Sequence, residues 1–191
     1  MCGIVGFTAE YLDHASARQT VKAMAEFIRH RGPDGEGYYA DTRAALGHRR
    51  LSIIDVNGGG QPMFNEDGTL VVVFNGEIYN FQELRSELEA KGYKFHCGAD
   101  TESLLHGYEE WGEAVLDRLR GMYAFVIWDK KKNKLFGARD IFGIKPLYYY
   151  PMADAGDGAP GVLFGSEIKS FLDYPHLHKA VKSKALRPYM P

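Results

Sequence analysis

Apolar residues along this chain fall into two periods, one of strands and one of helices. Residues 2–8 are mostly apolar and β-compatible, and Gly3 and Gly6 let another backbone approach closely, so the segment predicts a buried strand. Val21, Met24, Ala25 and Ile28 recur at the spacing of one helical face, which predicts a helix over 15–29 packed on a core. His30-Arg31-Gly32-Pro33-Asp34-Gly35 ends it, since two glycines and a proline do not continue a helix. Strands are expected at 37–40 and 44–48, then an apolar run at 49–55 that two arginines enter, then a flexible glycine loop at 57–62. Residues 70–74 form the most strand-like segment and run into Asn75-Gly76-Glu77-Ile78-Tyr79-Asn80. Asn80 and Glu83 have capping-box spacing, and Phe81, Leu84 and Leu88 share a face of the helix that follows. Further on, the pattern predicts a short strand at 93–97, a helix carrying Leu104, Leu105, Tyr108 and Trp111, and a second helix at 113–119. A hairpin of 122–129 with 135–139 comes next, then a turn and strand ending at 150 and a last strand at 162–166. A surface loop over 153–161, a helix beginning at 167–172 and a tail after Pro175 complete the reading.

Composition narrows the class. A chain of 191 residues, 45% hydrophobic and 25% charged, suits one soluble globular domain with a sizeable core. Its net charge of -2 argues against nucleic acid or an anionic membrane as partner, and no apolar run approaches the ~20 residues that span a bilayer. Two cysteines, Cys2 and Cys97, and no secretory signal point to a reduced, cytoplasmic setting. Neither His96 with Cys97 nor His176 with His178 has partners at ligand spacing, so no metal site is expected. The glycine loop matches no dinucleotide or phosphate fingerprint.

The chemistry concentrates in a few places. Once Met1 is trimmed, Cys2 carries a thiol and a free α-amine on one carbon, and an adjacent amine is a known activator of a nucleophile. A small buried cysteine opening a strand is the plainer reading. The Gly-Pro-Asp-Gly turn either leaves Arg31 solvated or sets it beside a site. Arg49 and Arg50, adjacent on a strand, face opposite ways, so one must point inward and meet either a substrate carboxylate or an internal Asp or Glu. Asn75 and Gly76 supply a carboxamide and an unobstructed backbone N–H, a pair able to form an oxyanion hole, although Asn-Gly is also a hairpin signal. Asp100 reads as a helix N-cap or as an anionic seat for an ammonium group.

Met1-Cys2-Gly3-Ile4-Val5-Gly6 resembles the start of the class II glutamine amidotransferases, which are N-terminal nucleophile hydrolases. The segments Arg31-Gly32-Pro33-Asp34, Arg50-Leu51-Ser52-Ile53-Ile54-Asp55, Gly60-Gln61-Pro62, Asn75 to Asn80 and Gly121-Met122-Tyr123-Ala124-Phe125 resemble the glutaminase domain of glutamine-dependent asparagine synthetases. The resemblance runs to about Leu172. It implies an α+β fold, a four-layer αββα sandwich of two antiparallel sheets. It implies that Cys2 attacks the glutamine carboxamide with its own α-amine as base, and that Asn75 Nδ2 and the Gly76 N–H hold the oxyanion. By the same resemblance Arg50 takes the substrate carboxylate, Asp100 its ammonium, backbone groups of Leu51, Ile54 and Glu77 line the pocket, and Arg31 supports nitrogen transfer. No Ser-Gly-Gly-x-Asp-Ser pyrophosphate loop occurs in the sequence. The implied organisation is therefore a glutaminase domain at 2–172 and a tail at 173–191 that begins the linker to a synthetase domain. The domain itself would need no cofactor, whereas the synthetase part would use ATP and Mg. The partners implied are L-glutamine and that synthetase domain in the same chain, with a homodimer left open.

Overall fold

Strand alternation sorts this chain into layers, because successive side chains point to opposite faces of a sheet. The computed structural model describes residues 1–52, 58–152, 161–172, 174, 175, 177 and 179. In chain order the strands are β1 (Gly3–Thr8), β2 (Gly35–Ala40), β3 (Ala44–Arg50), β4 (Met63–Phe64), β5 (Leu70–Ile78), β6 (Gly121–Asp129), β7 (Lys134–Arg139), β8 (Tyr148–Met152) and β9 (Gly161–Gly165), and the helices are α1 (His14–Glu26), α2 (Phe81–Ala90) and α3 (Asp100–Trp111). One antiparallel sheet has the order β2-β3-β1-β9-β8 and the other β4-β5-β6-β7.

Three apolar layers hold the sheets and helices together. Val5, Phe7, Ala45 and Leu163 pack against Val21, Met24 and Ile28 of the α1 side. Val72, Phe74, Phe125 and Ile127 pack against Leu84, Leu104, Leu105 and Tyr108 of α2 and α3. Between the sheets lie Ile4, Leu46, Phe164, Val71, Val73 and Val126. Alternation along β1 and β5 thus sends every second residue inward, and the result is the αββα sandwich that the resemblance implies. Gly6 is required at its position: a Cβ there would stand 2.3 Å from the Phe164 ring and 2.4 Å from the Ala45 carbonyl oxygen.

Polar contacts fasten one sheet to the other at two places. The ring N–H at Nε2 of His48 donates to the Phe74 carbonyl at 3.1 Å, and Trp128 Nε1 donates to Asp41 Oδ2 at 2.7 Å. Both cross the layer between the sheets, where an unpaired polar group would be expensive.

Several local expectations change. Asn75 and Gly76 lie inside β5, which runs on to Ile78, because β6 offers partners as far as Gly121. The Asn80–Glu83 capping box does not form; Asn80 instead donates to the Arg118 carbonyl at 2.9 Å and accepts the Arg120 N–H at 2.9 Å, tying the start of α2 to the approach of β6. Residues 93–97 are not a strand. The buried Glu102 carboxylate accepts the backbone N–H groups of His96 (2.8 Å) and Cys97 (2.9 Å), so these groups are satisfied without a neighbouring strand. The helices expected at 113–119 and 167–172 are 3-10 turns, Gly112–Asp117 and Ile168–Phe171. Beyond Leu172, Tyr174 packs its ring edge-on to Phe7, with centroids 5.0 Å apart. No helix among the described residues is long and apolar enough to cross a membrane.

Candidate active site

Cys2 directly precedes β1 and shares the face of Ile4, so its thiol enters the layer between the sheets at one open end. Its Sγ lies 3.4 Å from the Leu51 N–H, which donates to it, and 3.5 Å from the Leu51 carbonyl. The Cys2 carbonyl accepts Arg31 Nε at 3.0 Å. Arg31 is held in turn by Glu167 at 3.0 Å, whose carboxylate also meets His30 (2.8 Å) and Lys169 (3.1 Å). Burial raises the Glu167 pKa, but the hydrogen bonds from Arg31, Lys169 and His30 outweigh it and hold the group at about 2. Arg31 therefore stands behind the start of β1 and fixes the backbone that carries the thiol.

Facing Cys2 from the second sheet is Asn75, on the same side of β5 as Val71 and Val73. It is buried, and its Nδ2 has no hydrogen-bond partner among the described residues. A buried donor left without an acceptor is uncommon in a folded protein, and this one lines the cleft that Cys2 lines. Gly76 follows it, and only glycine fits: a Cβ would stand 2.4 Å from the Met122 carbonyl oxygen and 2.6 Å from Tyr123 Cα.

Cys2, Arg50, Leu51, Asn75, Gly76, Glu77 and Asp100 line a single open cleft. The paired arginines divide as alternation requires. Arg49 faces α1, where Nε donates to the Ala25 carbonyl at 3.2 Å and the guanidinium pairs with Glu26 and Glu36. Arg50, on the opposite face, lines the cleft. Of the alternatives raised for an inward arginine, Arg49 takes the internal carboxylate. Asp100 is the first residue of α3, with Ala99 in the N-cap position, and its Oδ2 accepts the Ile78 N–H at 2.9 Å. Burial raises its pKa, against the pull of the Ile78 and Thr101 N–H groups. Ile54 lies outside the described residues.

Further residues line the same cleft. His48, whose pKa burial pushes down to about 4, is neutral at pH 7. Gln61 accepts the Phe74 N–H at 2.6 Å and donates to Thr101 Oγ1 at 3.3 Å, so part of the loop read as flexible ties β5 to α3. Met122 and Lys145 also line the cleft. Alternation along β3 was a usable signal for His48, which shares a face with Leu46 and Arg50; Gln61 and Lys145 sit on loops that no periodicity locates.

The arrangement is suited to one kind of chemistry. A thiol and a carboxamide donor converge from opposite sheets, as attack on a carbonyl with stabilisation of the resulting oxyanion requires. A guanidinium and a carboxylate in the same cleft suit the two charges of an amino acid.

A family model described as a glutamine amidotransferase domain matches residues 1–191. The chain is 47% identical over 192 residues to asparagine synthetase (glutamine-hydrolyzing) 1 of Bacillus subtilis (strain 168), a match covering 100% of this chain and 29% of that protein. It is 45% identical over 148 residues to asparagine synthetase B (glutamine-hydrolyzing) of Escherichia coli (strain K12), covering 78% of this chain and 26% of that protein. This chain therefore spans less than a third of the length of either relative. Among solved structures it is similar to the allosteric regulatory enzyme of purine biosynthesis, with a TM-score of 0.70 and 25% identity over 90% of this chain and 43% of that one.

Proposed function

We propose, for a chain that belongs to the glutamine amidotransferase domain family, that the cleft hydrolyses the side-chain amide of L-glutamine to glutamate and ammonia. With Met1 removed, the Cys2 α-amine takes the thiol proton as Sγ attacks the amide carbon. Asn75 Nδ2 and the Gly76 N–H receive the oxyanion, and the amine returns the proton to the departing ammonia. Water then cleaves the γ-glutamyl thioester and frees Cys2. Arg50 holds the substrate carboxylate and Asp100 its ammonium, with Leu51, Ile54 and Glu77 completing the pocket. Arg31 acts through the Cys2 carbonyl. The observation that carries this reading is the unpartnered, buried Asn75 Nδ2 in the cleft of the Cys2 thiol.

In the longer protein the ammonia serves asparagine synthesis. Identity of 47% to a glutamine-hydrolysing asparagine synthetase supports this, as does the length of that relative. Ile141 and Phe142, 92% and 85% exposed on the turn that carries Lys145, favour a covering synthetase domain in the same chain. ATP and Mg belong to that domain's chemistry; thiol, amine and carboxamide suffice for glutamine hydrolysis.

Intact mass after incubation with diazo-oxo-norleucine tests the reading. The expected result is loss of Met1 and a single adduct on Cys2, blocked by glutamine and absent from Cys97. Protein lacking Met1 whose Cys2 stays unlabelled would instead be a glutamine-binding module.

A further inference from the structure

Lys145 has a role that glutamine hydrolysis as set out above does not use. It is only 7% exposed and lines the cleft together with Met1, Cys2 and Met122. Its place is built: Asp140 accepts the N–H groups of Ile144 (2.9 Å) and Lys145 (3.0 Å), and Pro146 biases the lysine backbone toward an extended form. The ammonium lies 3.3 Å from Met1 Sδ, and among the described residues no carboxylate stands within ion-pair distance of it. Its one side-chain hydrogen-bond partner among the described residues is thus Met1, which the proposed maturation removes. That sulfur is only a side chain's length from the Cys2 nitrogen, so removal of Met1 leaves the cation in the same cleft as the new α-amine and thiol.

We infer that Lys145 is a positioning residue that keeps the mature Cys2 pair in its reactive state, disfavouring the protonated amine by like charge and favouring the thiolate by opposite charge. The inference rests on the proposed role of Cys2 as nucleophile. Both effects act in the same direction, extending reactivity toward lower pH. The other charges around the pair are accounted for. Arg31 at the Cys2 carbonyl is paired with Glu167, which Lys169 and His30 also meet. Arg50, Glu77 and Asp100 share the cleft, and His48 there is neutral at pH 7. Asp140 accepts backbone N–H groups, including that of Tyr123 at 3.2 Å, and Arg139 donates to the Gly143 carbonyl at 2.6 Å. Replacing Lys145 leaves all of these in place.

The test needs no glutamine, so it stands apart from the identity of the substrate. Met1-free protein, verified by intact mass, is alkylated with iodoacetamide across pH, and Cys2 and Cys97 are followed separately by peptide mass spectrometry. In Lys145→Met the Cys2 midpoint moves up by about one pH unit, so that below it the rate is about tenfold lower than in the unaltered protein. The Cys97 profile does not move, and Lys145→Arg restores the original Cys2 profile. Lys145→Gln, which keeps a polar tip, behaves as Lys145→Met and replaces it if that variant folds poorly. The acid limb of kcat/KM for glutamine shifts in parallel. Coincident Cys2 profiles for the unaltered protein and the two neutral variants would overturn the proposal.

Discussion

In the role proposed for it, Asn75 serves the reaction through a donor that brings no benefit to the resting fold. Its Nδ2 is buried without a partner among the described residues, so truncating it removes no hydrogen bond made by that donor. Asn75→Ala is therefore expected to keep the melting temperature within a few degrees of the parent while lowering kcat about 10²–10³-fold, the usual effect of losing one oxyanion donor. Calorimetry and a glutamate-release assay on the same preparation check both halves; a large fall in melting temperature with kcat preserved would reverse the assignment. At this scale the motifs singled out Cys2, Arg50 and Asp100, which the structure sets in one cleft. The sequence assigned no role to Gln61 and Lys145, which sit on loops and reach the cleft only through the packing of distant segments.

Elements were legible where burial is periodic and obscure where side chains replace backbone partners. The alternation of β1, β3 and β5 and the apolar faces of α1 to α3 follow directly from the order of residues. The 93–97 segment carried the same β-compatible signal yet is no strand, because Glu102 supplies its hydrogen bonds from inside α3. The Asn80–Glu83 pair failed for a related reason: Asn80 is taken by Arg118 and Arg120, tertiary partners invisible in a local pattern. Glu102→Ala is expected to leave two backbone N–H groups unpaired and to destabilise the protein by on the order of 3 kcal/mol. Hydrogen exchange should speed up at His96 and Cys97 before it does in β5; unchanged protection at these amides would mean that the carboxylate does not hold the segment.

Across the whole molecule, His48 links pH to stability because it bridges the sheets. An unfolded histidine takes up its proton near pH 6.5, whereas burial keeps the folded one neutral until about 4. Between those values the unfolded chain binds more protons, so stability falls as pH falls, by about 3 kcal/mol over the window. Urea unfolding at pH 7 and pH 4 should show this loss in the parent and its absence in His48→Gln, which retains a donor for the Phe74 carbonyl. Equal losses in both would place the acid sensitivity elsewhere.

The thiol stands at the head of a strand of one sheet, and the proposed donors to its oxyanion lie in a strand of the other. A chain that has formed either sheet alone owns a cysteine or a carboxamide, but no machinery. On the proposed mechanism, bond-breaking competence is thus the last property this molecule acquires: it arrives when the two halves close on each other and is lost as soon as they part, so turnover itself would report that assembly is complete.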